Sequence, residues 1–195
     1  MDVQEVTVKD LEALPRLARI VFAVRCARLT QQVYRQMGGD LATDYAKVFE
    51  KAISLAEGVA AGRVVEGLEE TCRIVNVMAS GSIGIFPIRP QGSPAGKGAT
   101  LKELANYGVA YATLNAVRAA LEKSADAAFA AFTYATGSAR DCHQIGIEVS
   151  LCESLKKLQH AAVARKWTDS TPVTEEFFCE YTDPPREMCS RPSIE

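Results

Sequence analysis

The sequence predicts an all-α fold, an antiparallel bundle of about five or six helices joined mostly by short connections. Three observations carry that expectation. Apolar residues recur at three- and four-residue spacing through most of the chain, the signature of helices with one buried face. No segment sustains the strict apolar–polar alternation of a half-buried strand, and the one stretch considered, Ile83 to Ile88, is broken by glycine. Twelve alanines fall within the 31 residues from Ala105 to Ala135. Alanine has the highest helix propensity, and its small side chain lets neighbouring helices come close.

The elements follow in order. The first helix carries Leu14, Leu17, Ala18, Val21, Phe22, Val24, Leu29, Val33 and Tyr34, with Pro15 in its first turn and Gly38-Gly39 after its end at Met37. Proline suits a first turn because its missing N–H has no partner there in any case. A second helix is expected from about Leu41 to Ala61, with Tyr45, Val48, Phe49, Ala52, Ile53 and Ala56 on its buried face and Gly62 as its stop. A third, Val64 to Ala79, places Leu68, Cys72, Val75 and Ala79 in register. Residues 80–99 are rich in glycine and contain Pro87, Pro90 and Pro94, so they read as a long loop. Helical pattern returns from Leu101 to Trp167 in two or three pieces. Turns are expected at Lys123 to Asp126 and at Gly137-Ser138, and the last helix runs from Ala139 to Lys166 with Ile145, Val149, Cys152, Leu155, Leu158 and Ala162 on one face. The domain reading is a helical bundle over residues 1–167, including loop 80–99, and an acidic C-terminal tail over 168–195, partly packed on the bundle.

Composition bounds the function. The 195 residues carry 22 Lys and Arg against 24 Asp and Glu, a formal charge of −2, and 48% are hydrophobic. That excludes a disordered chain, which combines low hydrophobicity with high net charge. It also makes nucleic acid an unlikely partner, since bulk-charge binders carry a clear basic excess. The longest apolar run, Ile20 to Val24, stops at Arg25, far short of the about 20 residues a membrane span needs. Residues Met1 to Asp10 hold three acids and no apolar run, unlike a signal peptide. The six cysteines are dispersed, with no CxxC pair and only two histidines to accompany them, so neither a disulfide framework nor a zinc site is expected. A reduced, cytoplasmic protein without cofactor or metal is the reading.

Four features were weighed as sites. Gly92 to Thr100 contains a GKG element, but three residues separate Gly92 from Gly96-Lys97 where a phosphate loop needs four, and Gly98 stands where Ser or Thr is required. His143 and His160 are expected near opposite ends of one helix, too far apart to share a metal. The first helix holds Arg16, Arg19, Arg25, Arg28 and Arg35 against a single acid, Glu12. Arg25 and Arg28 are the candidate anion contacts, weighed against ion pairs with Asp40, Asp44 or Glu66 to Glu70. Finally, Trp167 to Phe178 is the most distinctive segment. Its cap-type residues and aromatic pair read as a clasp sealing the bundle, or as a partner-binding edge built from Trp167, Asp169, Glu175, Glu176, Phe177 and Phe178.

The stretch from Leu14 to Arg28, the Ala/Tyr-rich middle and the segment Trp167 to Phe178 together resemble alanine-rich, all-helical bacterial proteins and, more loosely, the all-helical immunity proteins of polymorphic toxin systems. The resemblance implies no catalytic residues. It implies a non-enzymatic, protein-binding module, immunity- or antitoxin-like, whose partner is a basic toxin or effector. The charge distribution fits such a partner, because residues 168–195 carry seven acids and two bases. Two alternatives are an enzyme or ligand-binding protein with an interhelical site under loop 80–99, and a structural or oligomerisation subunit. The oligomeric state is not legible.

Overall fold

The computed structural model describes residues 6–40, 43–83, 100–144, 146–174 and 176–179. Its eight helices take up 77% of these residues, and no strand occurs among them. In chain order they are α1 (Val8–Glu12), α2 (Arg16–Gln36), α3 (Asp44–Ala60), α4 (Leu68–Ile83), α5 (Leu101–Leu121), α6 (Asp126–Asp141), α7 (Gly146–Ala164) and α8 (Glu176–Cys179).

Local chemistry sets several of these boundaries. Thr7, Thr43 and Thr100 cap α1, α3 and α5 through their hydroxyls, and Asp10 and Glu103 complete reciprocal capping boxes with Thr7 and Thr100. Gly62, just beyond α3, has φ +73°, a conformation that L side chains rarely adopt. Glu122 to Ala125 forms the connection between α5 and α6, with the Ser124 hydroxyl accepting the Asp126 N–H.

The helices pack around α2 and α5, which lie against each other. Helix α3 sits against both on one side and α6 against both on the other; α4 covers α5 and α3, while α7 covers α2 and α6. The relations of the first three long helices are thus repeated by the second three, with each third helix crossing onto the opposite half. Both central helices are buried on almost every side: Ile20 through Ala27 and Ala112 through Val117 are continuous buried runs. A helix enclosed in this way must be mostly apolar all round, with any buried polar side chain matched by a partner, as Arg25 is by Ser150. It must also present small residues where neighbours cross, here Ala18, Ala23 and Ala27 on α2 and Ala105, Gly108, Ala112 and Ala116 on α5.

Several expected details are corrected. Helix α1 is separate, because Pro15, with ψ 149°, breaks the chain ahead of α2. Tyr45, assigned to the buried face of the second helix, is 63% exposed in the first turn of α3, where no helix covers it. The third helix begins at Leu68 and not at Val64, which is 98% exposed; Gly67, with φ +75°, separates the two. Helix α4 then continues to Ile83, so residues 80–83 belong to a helix and not to the loop, and 84–99 lie outside the described residues. No turn occurs at Gly137-Ser138, both of which are inside α6. The turn is at Cys142 to Gln144, where His143 takes φ +57°. His143 is therefore not helical, and α7 starts at Gly146; of its expected face Leu155, Leu158 and Ala162 are buried, while Ile147 and Leu151 take the place of Val149 and Cys152, which are half-buried. Of the acidic tail, residues 180–195 lie outside the described residues.

Two glycines within helices test the packing argument in opposite directions. A Cβ on Gly108 would fall inside the side chain of Ser138, where α5 and α6 cross, whereas one on Gly137 would meet nothing within 4 Å. Gly108→Ala is expected to destabilise by about 1–3 kcal/mol through overpacking. Gly137→Ala is expected to stabilise by about 0.5–1 kcal/mol through helix propensity alone. Urea denaturation of the two variants measures both signs; equal effects would remove the claim of close α5–α6 contact.

Candidate functional site

Residues 165–178 form a strap that ties the ends of two helices. Helix α2 has proline at its N-cap position and hence no side-chain cap of its own. Asp169 supplies one from 153 residues away, its Oδ1 accepting the Arg16 N–H at 2.7 Å, with the Arg19 guanidinium 3.9 Å distant. A carboxylate there also meets the positive end of the α2 dipole. Four residues later the Val173 N–H donates to the carbonyl of Ala60, the last residue of α3, at 3.0 Å. The Val173 side chain is buried, and Pro172 lies against Gly62, where a Cβ would come within 2.8 Å of its ring.

The aromatic end of the strap is held by several contacts. Trp167 and Phe177 meet edge to face with centroids 5.2 Å apart, and the Arg165 guanidinium stands 5.3 Å from the Phe177 centroid. Arg165 also pairs with Glu176 at 2.5 Å, and the Thr174 hydroxyl donates to the same carboxylate at 3.0 Å. Hydrogen bonds from Arg165 and Thr174 hold the Glu176 carboxyl below its usual range. The structure thus gathers Trp167, Asp169, Glu176, Phe177 and Phe178, with all three aromatic side chains half-buried against the core. Glu175 lies outside the described residues.

The arginines of α2 do not converge. Arg28 reaches α3, where Glu50 and Glu57 hold it at 2.5 and 3.1 Å. Burial works against its charge, yet the two carboxylates more than offset that and raise its pKa. Arg25, 8% exposed, points to α7 and donates to the Ser150 hydroxyl at 3.0 Å. Arg16 donates from Nη2 to the Ala120 carbonyl at 2.8 Å. The acids that meet Arg28 are not Asp40, Asp44 or the Glu66 to Glu70 group.

Neither histidine meets a reactive thiol. His143 and His160 are exposed. Burial raises the thiols of Cys26, Cys72, Cys142 and Cys152 above the ordinary range, which keeps them protonated and poor nucleophiles. Among the described residues no group of three or more His, Cys, Asp or Glu is placed to hold a metal ion, and no helix is long and apolar enough to cross a membrane.

A different surface stands out. Seven large hydrophobic side chains are exposed among the described residues: Ile74 and Val77 on α4, Leu101 and Leu121 at the two ends of α5, and Tyr45, Val64 and Val163 elsewhere. Between α4 and α5 runs an open groove of about 440 Å³, lined by Glu69, Cys72, Arg73 and Asn76 from α4 and by Leu114, Arg118, Leu121 and Glu122 from α5. The sequence carried the signal, because Ile74 and Val77 fall outside the register Leu68, Cys72, Val75, Ala79 that buries α4. Extra apolar residues off the core face mark a second face.

Fold and surface together define an all-α protein with an apolar helix face beside a charged groove. No family model matches the sequence, and no curated protein or solved structure matches it either.

The strap generates two expectations. Trp167→Ala and Phe177→Ala should each cost on the order of 2–3 kcal/mol, toward the lower end for buried aromatics because both rings are half-buried. Unchanged urea midpoints would remove the strap's structural role. The pH effect has a definite sign. A carboxyl whose folded pKa lies below its model value of 4.5 stabilises the fold above that pH and loses the contribution as pH falls through its folded value. Emission from Trp167, the only tryptophan, should report loosening of the strap as pH falls below 4.5, and Glu176→Gln should abolish that transition.

Proposed function

We propose that the protein is a binding module for a second protein, of the immunity or antitoxin-like kind that bacterial conflict systems set against a toxin, working by occlusion and without chemistry of its own. The observation that carries this reading is the pair of apolar side chains Ile74 and Val77, 42% and 70% exposed and three residues apart on α4. Single exposed hydrophobic residues are ordinary, but a contiguous group rimmed by charge is the composition of a protein interface. Here Glu70 and Arg73, one turn before Ile74 and Val77 on the same helix, supply charge beside the pair. The cytoplasmic setting and the basic character of the partner belong to the same proposal, supported by the acid excess in residues 168–195.

Coexpression with the product of the reading frame beside its own tests the reading. The parent should restore growth, and Ile74→Lys/Val77→Lys should lose protection while melting at the parent's temperature, because both side chains are exposed. Val163→Lys, 80% exposed on α7, should protect like the parent. If protection is lost in Trp167→Ala and kept in the α4 variant, the binding edge is the strap. Absence of both protection and a stable complex overturns the proposal.

A further inference from the structure

We propose that the strap is a two-stage latch, in which the single turn α8 lifts from the bundle on its own while residues 169–173 stay clamped. The inference is independent of the binding-module reading. The two ends of the strap are held by different physics. At the near end Asp169 accepts the Arg16 N–H, the Val173 N–H donates to the Ala60 carbonyl, and the Val173 side chain is 2% exposed. Opening that end removes the cap of α2, strips a main-chain acceptor at the end of α3 and brings buried apolar surface into water.

The far end is held by side chains at the surface. Helix α8 has four residues, too few to persist without outside support. Much of that support comes from Arg165, just past the end of α7, whose guanidinium pairs with Glu176 at 2.5 Å and stands 5.3 Å from the centre of the Phe177 ring. The two side chains of the pair are 48% and 56% exposed, so water and salt reach it. Phe177 meets Trp167 edge to face, and Trp167 is itself tied to α7 by its N–H on the Ala162 carbonyl. When α8 leaves, Trp167 stays.

Charge makes the far stage separable from the near one. Arg165 and the Thr174 hydroxyl act on the Glu176 carboxylate, and Lys166, next to Arg165, is exposed. On α2, against which α8 packs, the Arg19 guanidinium faces Asp169 and that of Arg16 reaches the Ala120 carbonyl. Neutralising Glu176, or screening its pair with salt, therefore loosens α8 without touching the cap on α2. The ring faces that Trp167 and Phe177 turn to each other then become accessible while the bundle stays folded, a local opening distinct from unfolding.

Residue-resolved hydrogen exchange on the full chain tests this. The Phe177 N–H, which donates to the Thr174 carbonyl at 3.1 Å, reports the far end, and the Val173 N–H reports the near end. Glu176→Gln should lower the protection of Phe177 about fivefold, the upper worth of an exposed pair. Added salt of about 0.5 M should act on the parent in the same direction. Asp169→Ala should lower the protection of Val173 about fivefold through the lost cap. It should leave Phe177 as in the parent, because the closed and half-open forms both keep that cap. Matching losses at Phe177 and Val173 in Asp169→Ala would mean that the strap opens as one unit. Unchanged protection of Phe177 in Glu176→Gln would mean that the ion pair does not hold α8. Either result overturns the proposal.

Discussion

The structure depends on enclosing two helices, α2 and α5, on nearly all sides. Burying a helix completely gains apolar area on every face, at about 25 cal/mol per Å². It also demands that every side chain on it be apolar, small or matched. The alanines and Gly108 of α5 meet the demand directly. Helix α2 cannot, because it carries five arginines. Each described link is a local solution to that conflict: Glu50 and Glu57 of α3 hold Arg28, Ser150 of α7 receives Arg25, and the Ala120 carbonyl at the end of α5 receives Arg16. A buried charge left without a partner costs several kcal/mol, so these links fix which neighbour sits on which side of α2. The hydrophobic term builds the bundle, and the arginines set its arrangement around α2.

The strap follows from the same conflict. Beginning a central helix with Pro15 leaves its first N–H groups without a local acceptor, and Arg16 and Arg19 add positive charge at the positive end of the dipole. One distant carboxylate, Asp169, answers both needs, and the chain that brings it also satisfies the Ala60 carbonyl at the end of α3. Trp167, Val173 and Phe177 then supply the apolar area that makes ordering the strap favourable. Entropy of order 1–2 kcal/mol per fixed residue opposes it.

Much of this was legible in the sequence, and the limits have physical causes. Helix positions with strong periodicity, such as Phe49, Ala52, Ile53 and Ala56, are buried as expected. Boundaries went astray where a local signal competed with a tertiary one. Gly137-Ser138 looks like a turn, yet Gly137 keeps helical geometry in open space and Ser138 is held against Gly108. The true turn at His143 uses a positive φ at a residue type that gives little warning of it. The aromatic core of the strap was readable because Trp167 and Phe177 are rare and close in sequence. Its cap on α2 was not, since an interaction across 153 residues leaves no local pattern. The α4 face was present in plain view as Ile74 and Val77, but a reading that looks for one buried register discards residues that fall off it.

That discarded pair bears on how the two halves of the fold differ. The packing relations of α2, α3 and α4 are those of α5, α6 and α7, so stability alone gives no reason for the third helices to be treated differently. They are. Helix α7 is tied to α2 through Ser150, to α1 through Gln159, and is followed by the strap. Helix α4 packs on α5 and α3, and in the groove along its α5 side Arg73 and Arg118 pair with Glu70 and Glu122 of their own helices. Val77, 70% exposed, gains little for the isolated chain, and a lysine or glutamate there would hold the helix at least as well. Val77 on α4 and Val163 on α7 are thus each exposed beyond what folding asks of its helix.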